Sequence, residues 1–264
     1  MTDIVTVYPA PESRPWADRS VSTYLKSLGL PPYSIESLLA AARIHPAREG
    51  HVLAFGPEWI HIITRGVVKE TTSHGTTRLW RKGMILGDVS RVMLRKAAID
   101  PSAQGTGPRL TFLTVGATLS ITARTFGALI EKDPVLALLL AKLTNDRSQT
   151  VEAVYSISKA DPVVRVARLL DYLVVQRSRR DGVERVRWNR KGVHPVPAGA
   201  VVLSGPSQAD IAEVLGLGRT TVEKSIATLR SEGILNALEP GTRSNRYYEI
   251  MDLSHLRSLA RSDS

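Results

Sequence analysis

Four polar side chains, Arg219, Thr220, Glu223 and Lys224, cluster around the start of one apolar-periodic stretch. Val222, Ile226 and Leu229 recur among them at four- and three-residue steps. That spacing predicts a helix with one buried stripe, and the polar set stands off it. A guanidinium, a hydroxyl, a carboxylate and an ammonium can all hydrogen-bond, to base edges or to anionic oxygens. Just upstream, Ser207 is a good N-cap, and Asp210 stands at the third helical position of a capping box. Ile211, Ala212 and Leu215 then share a face. Gly216 and Gly218 flank Leu217 and supply a tight turn in which positive φ costs nothing. Two short helices around a glycine turn form the pattern of a helix-turn-helix, whose second helix enters the DNA major groove. Arg219, Thr220, Thr221, Glu223 and Lys224 are then candidate base or phosphate contacts, and Ser207 and Gln208 join them at the start of the first helix. A helical hairpin that merely packs would show the same apolar periodicity.

The next residues sharpen the choice. Arg230-Ser-Glu-Gly-Ile-Leu reads as a helix end, a glycine cap and a strand start. Leu238 to Ile250 reads as a hairpin around Glu239-Pro-Gly-Thr, returning through Tyr247, Tyr248 and Ile250. A hairpin after a recognition helix is a wing, with Arg243 and Arg246 near its tip as candidate phosphate contacts. The basic run 177–191 just before this module is a solvated loop or a non-specific phosphate patch. A second basic cluster, 78–96, lies far from it in sequence and is surface, an anionic-ligand site or a partner surface.

Bulk properties narrow the classes. The chain has 264 residues, room for one large or two ordinary domains, and its 43% hydrophobic content suffices for packed cores. It has no cysteine, which excludes disulfides, thiolate metal sites and cysteine nucleophiles together. A net charge of +10 biases it towards anionic partners, although the basic residues are not confined to one end. No apolar run approaches a membrane span and no basic-then-apolar leader is present, so a cytoplasmic protein is expected. Ser156-Ile-Ser-Lys159 matches the S-x-x-K of serine acyl enzymes, but the companion motifs are missing. The six histidines (His45, His51, His61, His74, His194 and His255) show no close metal-ligand spacing. No enzymatic activity, metal or cofactor is expected.

The elements that must position the helical pair read as follows. Residues 1–30 begin with prolines among polar residues and predict an extended or disordered arm. A short helix is expected over Ile35–Arg43. Residues 51 to 123 are β-textured: HVLAF, WIHIIT, VVKETT, TTRLW, LTFLTV and TLSITA, punctuated by glycines, suggest an antiparallel sandwich or barrel. Gly87 to Arg109 lacks a clear period and predicts a long loop. A short helix follows over Arg124–Lys132, stopped by Asp133-Pro134. A long helix is then expected from Pro134 to about Lys159. Its row Leu136, Leu140, Leu143, Arg147, Thr150, Val154 and Ile157 reads as a heptad seam between two copies of the chain, or as one helix packed on its own domain. Asp161-Pro162 marks a boundary, and a helix over Val163–Val175 opens the last domain. The expected division is therefore 1–30 arm, 31–133 β-roll, 134–160 dimerisation helix and 161–264 winged helix-turn-helix, an α+β chain.

This order resembles the Crp/Fnr family of bacterial transcription regulators over roughly residues 35–260. The resemblance is most specific at Gln208–Leu229, in the spacing of Ala212, Gly216, Val222, Ile226 and Leu229, and continues into Gly233-Ile234. IHIITRGVVKE with Gly66 is similar to the family's strand–Gly–strand hairpin. KGMILGD with Gly83 and Gly87 is similar to the start of its phosphate-binding cassette, and ADPVVRVARLLDYL to the helix that opens its DNA-binding domain. The resemblance implies a homodimer with a cyclic-nucleotide-binding-like domain, reading a near-palindromic duplex through two recognition helices. It makes Arg219 the base-reading arginine. Thr220 stands where many members have glutamate, and Lys224 where many have a second arginine, so a different half-site is expected. RNA polymerase is a further candidate partner.

The effector cassette departs from the family. Members that bind cyclic AMP use a Gly-Glu pair and a later Arg followed by Ser or Thr. Here the pairs are Gly87-Asp88 and Arg109-Leu110-Thr111, which makes Gly87, Asp88, Arg109 and Thr111 the candidate effector residues of a degenerate or altered site. The sequence reading is a sequence-specific dimeric DNA-binding regulator; the alternative is a module whose winged helix binds a protein.

Overall fold

The computed structural model describes residues 15–54, 56–93, 108–156, 159–174, 186–189, 192–195, 200–236 and 246–262. The chain divides into two compact units, one of residues 1–68 and 82–144, the other of residues 69–81 and 145–264.

The first unit opens with a helix where an arm was expected. Pro15–Ser27 forms α1. Val21, Tyr24 and Leu25 are spaced to share one face, and all three are buried. A proline in the first turn is compatible with a helix start, so the proline-rich look of the segment concealed a short amphipathic helix. After it, α2 runs Pro32–Ala41, starting at its own proline and ending two residues short of the expected end. Arg43 instead begins a strand that the sequence did not suggest, β1 (Arg43–Ala47). Further strands are β2 (Val52–Ala54) and β3 (Trp59–Arg65), and then, beyond residues 69–81, β6 (Ile85–Leu86), β7 (Arg109–Phe112) and β8 (Gly116–Thr122). One antiparallel sheet has the order β1-β8-β3-β6, with His61 opposite Ser120 and Ile62 opposite Leu119. A second pairing joins β2 to β7, Leu53 opposite Leu110. A short helix, α3 (Ser90–Met93), lies inside the expected long loop, of which 94–107 fall outside the described residues.

Alternation along β3 and β8 sends Ile60, Ile62, Leu119 and Ile121 to one face of the sheet. There they join Val21, Leu25, Leu38 and Phe126 in one apolar core. Phe126 comes from α4 (Ala123–Lys132), which is N-capped by Thr122 and stopped at Asp133 as the sequence suggested. The same core takes in Leu136, Leu140 and Leu143 of α5 (Pro134–Thr150), all essentially without solvent exposure. The expected heptad seam is thereby corrected: its apolar half packs on its own domain. Leu138, on the other side of α5, is 71% exposed. The helix is also shorter than expected. It passes at Val151–Tyr155 into a π-helical turn, closed by Ser156, whose amide and hydroxyl both donate to the Val151 carbonyl. Ser156, the first residue of the S-x-x-K match, thus terminates a helix.

In the second unit, β4 (Val68–Thr71) and β5 (Thr77–Trp80) form a hairpin. α6 (Pro162–Leu173) starts at an Asp161 cap and buries Val166, Leu169, Leu170 and Leu173. β9 (Val186–Asn189) pairs with β10 (Gly192–Pro195). β11 (Val201–Ser204) then leads into α7 (Gln208–Leu215) and α8 (Arg219–Ser231). β12 (Tyr247–Ile250) pairs antiparallel with β11, Leu203 opposite Tyr248, and α9 (Leu253–Arg261) packs on α6. No helix among the described residues is long and apolar enough to cross a membrane.

Candidate nucleic-acid interface

The pair α7–α8 is built by local chemistry before any packing. The Ser207 hydroxyl accepts from the Asp210 amide at 3.1 Å, and the Asp210 carboxylate accepts from the Ser207 amide at 2.9 Å and from its hydroxyl at 2.6 Å. This is the complete capping box, and it satisfies donors that a helix start leaves open. Two opposing effects set the lowered pKa of Asp210: partial burial pushes it up, and hydrogen bonds from Lys69 and Ser207 outweigh this. Gly216 ends α7 in the left-handed region at φ +60°, where a side chain would cost about 1–2 kcal/mol. Gly218 has an ordinary φ of −66° and is simply the N-cap of α8, so only one of the two glycines needs its freedom.

Val222, Ile226 and Leu229 are fully buried, as their spacing required. The opposite face of α8 is polar and open: Arg219, Thr220 and Lys224 are exposed, Thr221 and Glu223 half-buried. Arg219 donates through Nε to Glu223 one turn on at 2.9 Å. The two terminal nitrogens of the guanidinium make up its other edge, which can form a two-pronged hydrogen bond. At the start of α7, Ser207 and Gln208 are half-buried. The expected wing falls mostly on 237–245, and Arg243 with it, outside the described residues; Arg246 is exposed and directly precedes β12, its carbonyl accepting from the Gly205 amide at 3.1 Å. Among the described residues β12 pairs with β11, and Leu235 makes an isolated bridge to Ile250. All side chains of the basic segment 177–191 also lie outside the described ones.

The candidate effector residues are arranged less favourably. Gly87 has φ +101°, and an added Cβ would come within 2.4 Å of the Trp59 carbonyl oxygen, so glycine is required there for the backbone alone. The Asp88 carboxylate is engaged locally, by the Ser90 hydroxyl and amide and by Arg91 Nε at 3.0 Å. Partial burial raises its pKa, but those bonds lower it further than burial raises it. Along β7, Arg109 and Thr111 share a face and Leu110 points the other way, fully buried. Leu110 is therefore a core residue, at the position to which the sequence resemblance assigned the family's hydroxyl. Among the described residues no group of three or more His, Asp or Glu side chains could hold a metal.

Two residues of this region carried no sequence signal. Lys69, on β4, donates to Asp210 at 2.8 Å and to Glu213 at 3.2 Å, and Thr77, on β5, donates to Glu213 at 2.9 Å. The Lys69–Asp210 pair spans 141 positions, so no local pattern could announce it.

No protein-family model matches the chain, and no curated protein sequence matches it. Solved structures do. A Ruegeria pomeroyi protein proposed to bind cyclic nucleotides aligns over 94% of this chain and 100% of its own, with TM-score 0.56 and 19% identity. FixK2 from Bradyrhizobium japonicum aligns over 84% and 99%, with TM-score 0.55 and 16% identity. A CRP/FNR-family transcriptional regulator from Thermus thermophilus, TTHA1359, aligns over 84% and 100%, with TM-score 0.51 and 17% identity. At these identities the likeness establishes the fold. The chain has the α+β fold of Crp/Fnr regulators, and the resemblance read from the sequence holds at that level.

Proposed function

We propose that this chain is a sequence-specific DNA-binding transcription regulator of the Crp/Fnr type, acting in the cytoplasm as a homodimer and without enzymatic activity. One observation carries the reading: a capped, glycine-turned helix pair presents Arg219, Thr220 and Lys224, exposed, from the first two turns of α8. Rigid presentation matters, because base readout needs donors held within tenths of an ångström of a base edge. Double-stranded DNA and, at a promoter, RNA polymerase are the partners of this reading. The effector domain is altered, with Asp88 tied to its own helix start and Leu110 buried.

Arg219 reads a base, and guanine O6 and N7 match its free edge. Selection from a random duplex pool would yield the preferred site. Arg219→Ala is then expected to cost about 1–3 kcal/mol per half-site on that duplex and much less on random duplex at the same salt concentration. Equal losses on both would reduce Arg219 to a phosphate contact. Selection that recovers no preferred site would favour a protein-binding winged helix instead.

A further inference from the structure

The first helix of the pair is acidic. α7 reads QADIAEVL, with Asp210 and Glu213 one turn apart and no basic residue. In a helix-turn-helix this helix crosses the phosphate backbone, and its N-terminal amides are natural phosphate ligands. Two carboxylates there oppose an approaching phosphate. Asp210 cannot be exchanged cheaply, since its carboxylate closes the capping box with Ser207.

The compensating cation comes from elsewhere in the same unit. Lys69 Nζ reaches Asp210 Oδ1 and Glu213 Oε2, while Glu213 Oε1 accepts from Thr77 Oγ1. One ammonium thus serves both carboxylates, and the two Asp210 oxygens act separately, Oδ2 closing the cap and Oδ1 receiving Lys69. Lys69 is partly shielded, with 21% of its side chain exposed against 11% for Asp210 and 48% for Glu213. The hairpin is itself fixed at its far end: the Tyr155 hydroxyl donates to the Leu79 carbonyl at 2.6 Å and accepts from the Leu79 amide at 2.9 Å. Glu70 beside Lys69 accepts from Trp80 Nε1 at 2.7 Å and faces Arg147, so Lys69 is left to α7.

We infer that Lys69 is a positioning residue for DNA binding: with Thr77 it holds α7 and offsets part of the charge on its acidic face, so that the start of α7 can lie against a phosphate backbone. The inference rests on the DNA-binding reading above. It makes Lys69 act through Asp210 and Glu213 and leaves base readout to α8.

The test uses full-length protein. Lys69→Ala should weaken binding roughly threefold to tenfold, about equally on the selected duplex and on random duplex, because no base contact is lost. Lys69→Arg should retain most of the affinity. Adding Glu213→Gln to Lys69→Ala should recover affinity, since it removes a carboxylate left without its cation. Hydrogen exchange without DNA supplies the independent readout: α7 amides should exchange faster in Lys69→Ala/Thr77→Val, with the melting temperature showing that the fold is kept. Unchanged exchange in α7 would overturn the inference, as would unchanged or tighter DNA binding by Lys69→Ala. A loss that Glu213→Gln does not relieve would also overturn it and make Lys69 a direct phosphate ligand. If wild type binds no duplex at all while the exchange difference is present, the DNA reading falls and the positioning role falls with it, leaving only the hairpin–α7 link.

Discussion

His61 shows how much a single buried side chain can say about conditions. It sits in β3 opposite Ser120, whose hydroxyl lies 2.8 Å from its Nδ1, and burial with the nearby His45 lowers its pKa to about 3. Burial, then Arg43 and His51, lower His45 as well. Both groups are held neutral in the folded chain, whereas the unfolded chain binds protons below about pH 6.5. The contribution of these two groups to folding stability is therefore fully present above that pH and is lost as pH falls below it, down to about 3 for His61, each contributing a slope of up to about 1.4 kcal/mol per pH unit. Urea midpoints of wild type at pH 7.5 and pH 5 should differ in that direction, and His61→Gln should flatten the difference. A second prediction at this scale concerns the effector. A buried cyclic phosphate needs charge-assisted donors, and one lost donor costs on the order of 1–3 kcal/mol. Leu110 supplies none, and Asp88 is already engaged by Ser90 and Arg91. Calorimetry should find no cyclic AMP binding in the micromolar range; such binding, abolished by Arg109→Ala, would restore a conventional nucleotide switch.

At the scale of elements, α1 gives the sharpest contrast between appearance and role. Its sequence neighbours are polar and proline-rich, yet Val21, Tyr24 and Leu25 enter the same core as β3, β8 and α5. Leu25 is fully buried, so Leu25→Ala should cost about 2–5 kcal/mol, read as a shift of the denaturation midpoint with an unchanged slope. A midpoint shift within the error of the wild type would mean that α1 is dispensable packing. α7 and α8 lie at the other extreme. Their ends are set by Ser207, Asp210 and Gly216, each acting over three or four residues, and these were legible because capping is local chemistry.

At the scale of the whole molecule, the packing of α5 limits which of its faces a second copy could use. Leu136, Leu140 and Leu143 are spent within one chain, so two copies meeting along α5 must use its other face, where Leu138 is exposed. Leu140→Asp would bury a charge and should unfold the first unit, with loss of far- and near-ultraviolet signal. Leu138→Asp should leave the fold intact and, by sedimentation at micromolar concentration, yield monomers if α5 carries the dimer. A Leu138→Asp protein that remains dimeric would place the interface elsewhere. On the DNA-binding reading proposed above, such a dimer would read half-sites about 34 Å apart, so monomers should lose the selected site before they lose random DNA.

Sequence alone determined the parts of this protein whose cause is local. The capping box, the turn at Gly216, the stripe Val222–Ile226–Leu229, the start of α6 at Asp161-Pro162 and the strand character of the runs around Trp59 and Thr122 all follow from interactions within a few residues. The tertiary structure decided what such patterns leave open. The heptad row at Leu136, Leu140 and Leu143 is equally good as a seam or as a core, and only the presence of Phe126, Ile62 and Leu25 against it makes it core. The Arg109-Leu110-Thr111 triplet reads as a motif until β7 turns Leu110 inwards. Lys69 meets Asp210 and Glu213 only because folding brings them together across 141 and 144 positions, and an ion pair depends on distance in space and leaves no period in the chain.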